Sequence, residues 1–185
     1  MSEKQSQVMG TTPLFRSLEH APLQGVMTKL KLIWNEISYP KGYVLINRDK
    51  IERDVYLIKQ GIARAYIEVD GKDVSIWFGM ENDIIISAQG YVNGEKGYET
   101  IELLEDAVLY KMDLGQLQQL YRQDIEVCNW ARQLIEKEFV GTEHRLISNL
   151  SMSATERYLQ LLKEKPEILQ RVQSVSYTHL RAHET

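Results

Sequence analysis

The side chains able to do chemistry in this sequence are few and poorly arranged for it. Four histidines and one cysteine occur in 185 residues. His20, His144, His179 and His183 all lie outside the segments that alternate like strands, so no set with metal-ligand spacing forms. His179 and His183 are four apart, but both fall in the terminal stretch QSVSYTHLRAHET. That stretch has no sustained period and reads as a non-native tail over residues 173–185, of the kind left by vector or adaptor read-through. Cys128 sits in an amphipathic stretch with no histidine near it in sequence, the setting of a small core residue rather than a nucleophile. No phosphate-binding GxxxxGK[ST], no GxSxG and no GxGxxG is present. The carboxylates are numerous but unpatterned. What remains is binding. The run Gln89-Gly90-Tyr91-Val92-Asn93-Gly94-Glu95-Lys96-Gly97-Tyr98 gathers three glycines, two tyrosines and one lysine into a loop suited to closing over a small molecule.

Composition narrows the partners of such a loop. The hydrophobic fraction of 43% is ordinary for a globular domain, and the formal charge of −4 offers no basic surface for phosphate neutralisation on nucleic acid. The length suits one core with a helical appendage rather than two full domains. A lone cysteine leaves no internal disulfide, which fits a reducing compartment. Residues 1–11 are polar and lack the apolar stretch of a signal peptide, and Ile84-Ile85-Ile86 falls far short of the ~20 residues that span a bilayer. A cytoplasmic chain without a membrane segment is the expectation.

Short strands must position the loop. From Tyr39 to Met112, apolar blocks recur at the spacing of an all-β barrel or sandwich. The blocks predict strands over 43–47, 54–60, 62–69, 73–79, 84–88, 99–104 and 107–112. Ala63, Ala65, Ile67 and Val69 share one face, opposite Arg64, Tyr66 and Glu68; after a hairpin at Asp70-Gly71, Val74, Ile76 and Phe78 alternate with Asp73, Ser75 and Trp77. Gly42 and Gly61 stand where reversing chains need positive φ. Ahead of the strands, Thr12-Pro13 predicts the start of a short helix burying Leu14, Phe15 and Leu18, while the stretch from Val26 to Leu32 suits either a helix or a strand.

From Leu114 the period changes to about 3.6. A short helix carries Leu114, Leu117, Leu120 and Tyr121, and a long one runs from Asp124 to about Leu150. The long helix is apolar over more than the usual ~100° stripe. One side is expected to pack on the strands and another on a second copy of the chain, with Cys128, Ala131, Ile135, Phe139 and Leu146 at the dimer seam. Ser153 and Glu156 form a capping box for a further helix, which Pro166 ends.

These elements resemble the sensor domain of the cyclic-AMP receptor/FNR family of bacterial transcription regulators. The resemblance rests on Tyr39-Pro40-Lys41-Gly42 with Leu45, on Tyr56 to Gly61, on Asp70-Gly71-Lys72, on Asp83 and on Leu104-Glu105-Asp106-Ala107, in order and spacing. It covers about Leu14 to Val172. It implies an α+β fold: an antiparallel β-roll (a double-stranded β-helix like that of cyclic-nucleotide-binding domains) with a short N-terminal helix and a long C-terminal dimerisation helix. The corresponding divisions are the roll over 12–123, the long helix over 124–150 and connecting helices over 151–172. The helix-turn-helix that would follow, with its Ala-x-x-x-Gly turn, does not occur, so DNA binding is expected only of a full-length protein.

In cyclic-nucleotide binders of that family, a Gly-Glu pair after the aspartate takes the ribose, and a later arginine pairs with the cyclic phosphate. Aligned on Asp83 and Glu105-Asp106, the pair falls at Ile86-Ser87 and the arginine at Gly97-Tyr98, so both are missing. A phosphate left without its paired charge typically loses about 2–5 kcal/mol, or roughly thirtyfold to several thousandfold in affinity. Lys96 supplies a point charge without the fork of a guanidinium, and Gly94 and Gly97 offer amides. The plain reading of Lys96 is a solvated lysine. The expected pocket is therefore retuned or vestigial, lined by Ile86, Ser87, Gln89, Tyr91, Lys96, Gly97 and Tyr98, with no cofactor required and a cyclic nucleotide or another small effector as its ligand. A cupin-like metal enzyme, the rival with a similar roll, lacks its histidine cluster. A dimerisation module that senses nothing fits the same elements. No catalysis is expected.

Overall fold

The structure is a computed structural model that describes residues 22–164 and 166–172. The predicted N-terminal helix at Thr12-Pro13 and the tail over 173–185 lie outside the described residues. One compact unit ends at Glu136 and a second begins at Lys137.

In the first unit, helix α1 (Pro22–Leu30) precedes eight strands: β1 (Trp34–Tyr39), β2 (Val44–Ile46), β3 (Asp54–Gln60), β4 (Ala63–Val69), β5 (Lys72–Gly79), β6 (Ile84–Ile85), β7 (Thr100–Leu103) and β8 (Ala107–Asp113). A short helix α2 (Ala88–Val92) interrupts them, and α3 (Leu114–Gln123) and α4 (Ile125–Ser151) follow. The strands form two antiparallel sheets, ordered β1-β8-β3-β6 and β2-β7-β4-β5. Both sheets turn alternate residues inward onto one cluster, among them Ile46, Tyr56, Ile58, Ala63, Ile85, Leu103 and Leu109. The opposite face of the first sheet carries Val55 and Met112, which pack with Leu30 of α1, Leu114 and Leu117 of α3, and Val127, Trp130, Ala131 and Leu134 of α4. The eight-strand antiparallel roll with its long helix is the expected fold.

Local chemistry accounts for the turns. Asp70 and Gly71 both take positive φ, 51° and 73°, as a two-residue hairpin matched to strand twist requires. Gly61 has φ 121°, and a Cβ there would overlap Ala107, so the β3–β4 turn closes against β8 only through a glycine.

Four details depart from the sequence reading. Trp34–Tyr39 is a full strand, pairing with β8 from Trp34↔Met112 to Tyr39↔Ala107; its apolar residues do not alternate strictly, because Trp34 stacks on Tyr110 outside the roll while Ile37 and Tyr39 pack inside. The segment around Val26 to Leu32 resolves as helix up to Leu30. On β5 the inward residue is Trp77, not its apolar neighbour Ile76, which is 46% exposed. The indole lies across Gly79, where a Cβ would overlap the ring, so the glycine makes room for the largest side chain to turn inward. Finally, the predicted strand over 84–88 stops at Ile85, and Ala88 opens α2.

In the second unit the later part of α4 is followed by α5 (Ala154–Glu164) and α6 (Pro166–Arg171). The predicted capping box is formed. The Ser153 backbone N–H donates to Glu156 Oε2 at 2.8 Å and the Glu156 N–H donates to Ser153 Oγ at 3.2 Å. The Ser153 N–H, with the Ser153 hydroxyl donating to the same oxygen at 2.9 Å, holds the Glu156 carboxyl below its ordinary value. Ile168 and Val172 are buried.

Candidate functional site

The loop singled out by its glycines is built on α2, and α2 begins at Ser87. The residue is extended (φ −82°, ψ 116°), and its hydroxyl accepts from the Gly90 N–H at 3.4 Å, so it ends β6 and starts the helix at once. Gly90 is buried, and a Cβ on it would run into the Glu52 carbonyl oxygen. A glycine at this position lets α2 lie directly on the backbone that leads into β3. The helix is five residues long, which is why a sequence with three glycines and no period concealed it.

The seven predicted site residues separate into groups. Ser87 and Gly97 come together: a Cβ on Gly97 would lie 2.6 Å from Ser87 Oγ, and 3.2 and 3.3 Å from the carboxylate oxygens of Glu99. Gln89 and Tyr98 form a second pair, Gln89 Nε2 donating to the Tyr98 hydroxyl at 3.1 Å while Asn93 Nδ2 donates to Gln89 Oε1 at 2.6 Å. Ile86 and Tyr91 turn the other way, into a cavity on the helix side of the first sheet, where the Tyr91 hydroxyl meets that of Tyr121 at 3.3 Å. Lys96 is exposed.

Electrostatics at the aligned arginine position therefore run against an anion. The groups that converge on Gly97 are the Ser87 hydroxyl, which already accepts from the Gly90 N–H, and the acceptor-only Glu99 carboxylate, which was not anticipated. Its backbone neighbour consolidates it, the Tyr98 N–H donating to Glu99 Oε2 at 3.1 Å. A phosphate placed there would face a negative charge instead of a guanidinium.

The roll does contain an inward cation, one strand away. Ala107, Leu109 and Lys111 alternate on the inner face of β8, and Lys111 sits opposite Tyr56 of β3, itself the partner of Ile85. Lys111 Nζ lies 2.7 Å from Asp54 Oδ2 and 5.9 Å from the centre of the Tyr56 ring. The Tyr56 hydroxyl stands 3.4 Å from the same carboxylate oxygen, and Tyr39 and Tyr43 stack with ring centres 3.9 Å apart. The bond to Asp54 raises the Lys111 ammonium above its ordinary value, while burial, with the Asp54 charge, pushes the Tyr56 phenol well up. The period of two along β8 places Lys111 inward, outside the glycine-rich loop that holds Lys96.

Among the described residues, no group of three or more His, Cys, Asp and Glu is placed to hold a metal ion, and no helix is long and apolar enough to cross a membrane.

Comparison with known proteins bears on this geometry. The family model for the cyclic nucleotide-binding domain matches residues 36–124, from within β1 to the start of α4. No curated protein sequence matches the chain. Among solved structures, the chain is similar to the catabolite activator protein of Thermus thermophilus, with a TM-score of 0.59 and 14% identity over 92% of this chain and 85% of that one. It is similar, again with a TM-score of 0.59 and 14% identity, to the c-di-GMP responsive global regulator CLP of Xanthomonas campestris, over 78% of this chain and 74% of that one. A third likeness, to the regulatory domain of Toxoplasma gondii PKA with cAMP, has a TM-score of 0.46 and 16% identity; it covers 57% of this chain, which spans 39% of that one. The two structures with TM-scores of 0.59 share the fold of this chain, and residues 36–124 match the cyclic nucleotide-binding domain family.

Proposed function

We propose that this chain is the effector-sensing and dimerisation part of a bacterial transcription regulator of the cyclic-AMP receptor/FNR type, working in the cytoplasm, with a pocket retuned away from cyclic nucleotides. The reading is carried by one observation. At the positions aligned with the ribose acid and the phosphate arginine stand Ser87 and Gly97, in mutual contact and beside the Glu99 carboxylate. The backbone scaffold of the site persists while its charges are exchanged. That a regulator of similar fold is described as responsive to c-di-GMP supports the idea that this scaffold accepts changes of ligand.

Dimerisation is read from α4. Ile135, Phe139 and Leu146 are 47%, 71% and 57% exposed, and such residues on one helix suit a seam with a second copy. Cys128 is partly exposed and Ala131 is buried within the chain's own core, so these two would support the seam from behind rather than form it. Operator contact would belong to the full-length protein.

Calorimetry with cyclic AMP tests the pocket: binding weaker than micromolar is expected, and submicromolar binding would overturn the reading. A thermal-shift screen of nucleotides and small acids tests sensing itself. A ligand at a hundred times its dissociation constant adds about 2.7 kcal/mol, and a screen without a single hit would favour a module that only dimerises.

A further inference from the structure

We propose that the cavity behind β6 and α2 is a second ligand site, taking a small uncharged apolar guest of one or two heavy atoms. The cavity measures about 40 Å³ and lies between the outer face of the first sheet and the helices, lined among others by Leu30, Ile84, Ile86, Leu117, Ala131 and Leu134. It is on the opposite side of the sheet from Lys111, and neither Ser87 nor Gly97 lines it, so it stands whether or not the roll binds an effector.

Three features fix the class of guest. Of the lining residues only Tyr91, Tyr121 and Trp130 carry polar side-chain atoms, and the two hydroxyls are bonded to each other at 3.3 Å. The rest of the lining is apolar, so a charged ligand would enter at a large desolvation cost. Size is the second limit. An engineered apolar cavity of about 150 Å³ admits benzene, and this one is about a quarter of that, the room for xenon, methane or a diatomic gas. Access is the third. Ile135, which the dimer reading places at the seam, lines the cavity and is 47% exposed in the single chain, so the space reaches the surface at that side chain.

The lining also gives such a guest something to act on. Ile84, Ile86 and Tyr91 belong to the segment from β6 to α2, whereas Leu117 and Tyr121 are on α3 and Trp130, Ala131 and Leu134 on α4. Atoms that line a void lack dispersion partners on one side. A guest restores those partners and so holds that segment and the helices in the arrangement seen here.

The test is methyl-resolved NMR of the intact chain under stepwise xenon pressure, followed by methane pressure. Saturable shifts are expected at the Ile84, Ile86, Leu117 and Leu134 methyls, with the roll-interior Leu45 and Leu103 methyls unmoved. Ala131→Leu, which fills the space, should weaken the apparent affinity at least tenfold while leaving the roll-interior spectrum unchanged. If that variant does not fold, Ala131→Val serves as the smaller filler with a smaller loss. Shifts that do not saturate, that are as large at Leu45 and Leu103, or that persist undiminished in the folded filled variant would overturn the proposal.

Discussion

Two halves of one helix both carry large apolar residues and have opposite surroundings. Before Glu136, α4 buries Val127, Trp130, Ala131 and Leu134 against strands and helices of its own unit. From Lys137 onward the helix has no buried residue among those described, and Phe139, Val140, Leu146, Ile147 and Leu150 are 48% to 81% exposed. A hydrophobic side chain announces that it should be covered and does not say by what. In the first half the cover is the chain's own sheet; in the second, the apolar residues stand open, and a second copy is the cover proposed above.

Substitutions in the two halves should therefore fail differently. Leu134→Ala, at 7% exposure, is expected to cost about 2–5 kcal/mol of stability in urea unfolding, independent of protein concentration. Leu150→Ala, at 81% exposure, should change the stability of the dilute chain by less than about 0.5 kcal/mol. Phe139→Ala should act on assembly instead: a buried aromatic at a dimer seam is worth about 2 kcal/mol or more, so the dimer dissociation constant followed by sedimentation should rise roughly thirtyfold. Equal losses at Leu134 and Phe139 in the dilute chain would erase the contrast between the halves.

Within the roll the same question of cover sharpens around Lys111. Its side chain is 35% exposed and that of Asp54 27%, so the pair sits at the mouth of a core whose deeper members, Ile58 and Leu109, are sealed. Lys111→Met should cost about 1–2 kcal/mol, less than a fully buried pair because solvent screens it. Lys111→Met with Asp54→Asn should recover part of the loss in a double-mutant cycle. The pH dependence has a definite sign. Because the folded ammonium titrates above its ordinary value of 10.5, the stabilisation is fully present below that pH and is lost as pH rises through the folded value. A thermal melt series in which wild type and Lys111→Met keep a constant gap through strongly alkaline pH would contradict the assignment.

Much of this was legible from residue types alone, and what was not has physical causes. The strands of the roll could be read because one face is dry; the hairpin because Asp70-Gly71 demands positive φ; α3 and α4 because the period changes at Leu114. β1 escaped because Trp34 is covered from outside the roll, which breaks the alternation. α2 escaped because a five-residue helix pinned through Gly90 needs no apolar period. The candidate site was half legible. The sequence places Ser87 and Gly97 at the key positions but cannot tell that Glu99 joins them, since that depends on a turn of the loop, nor that Ile86 and Tyr91 face away from the roll interior. Trp77 is the clearest case of packing overriding pattern: alternation alone gave Ile76 an equal claim to the interior, and the space over Gly79 decided it.

The smallest expected effect lies where α4 begins. Asp124 accepts from the N–H groups of Glu126 and Val127 at 3.0 and 3.1 Å and pairs with Lys29 of α1, which also reaches Glu126 at 3.0 Å. The hydrogen bond from Lys29 and the two backbone donors hold the Asp124 carboxyl below its ordinary 3.8, and the same contact raises Lys29 above 10.5. In the later half of the helix the ion pair found among the described residues, Arg145 with Glu138 at 3.8 Å, joins the helix only to itself. Asp124→Asn keeps a capping oxygen but removes the charge, so its loss isolates the electrostatic part of this fastening. A depressed carboxyl stabilises the fold above its unfolded value and ceases to do so as pH falls through the folded one. The melting-temperature gap between wild type and Asp124→Asn should thus be flat at neutral pH, close on acidification below about 3.8, and shrink in high salt because the groups are exposed to screening. A gap that persists unchanged in acid would mean that Asp124 acts through its shape at the α3–α4 junction rather than through its charge.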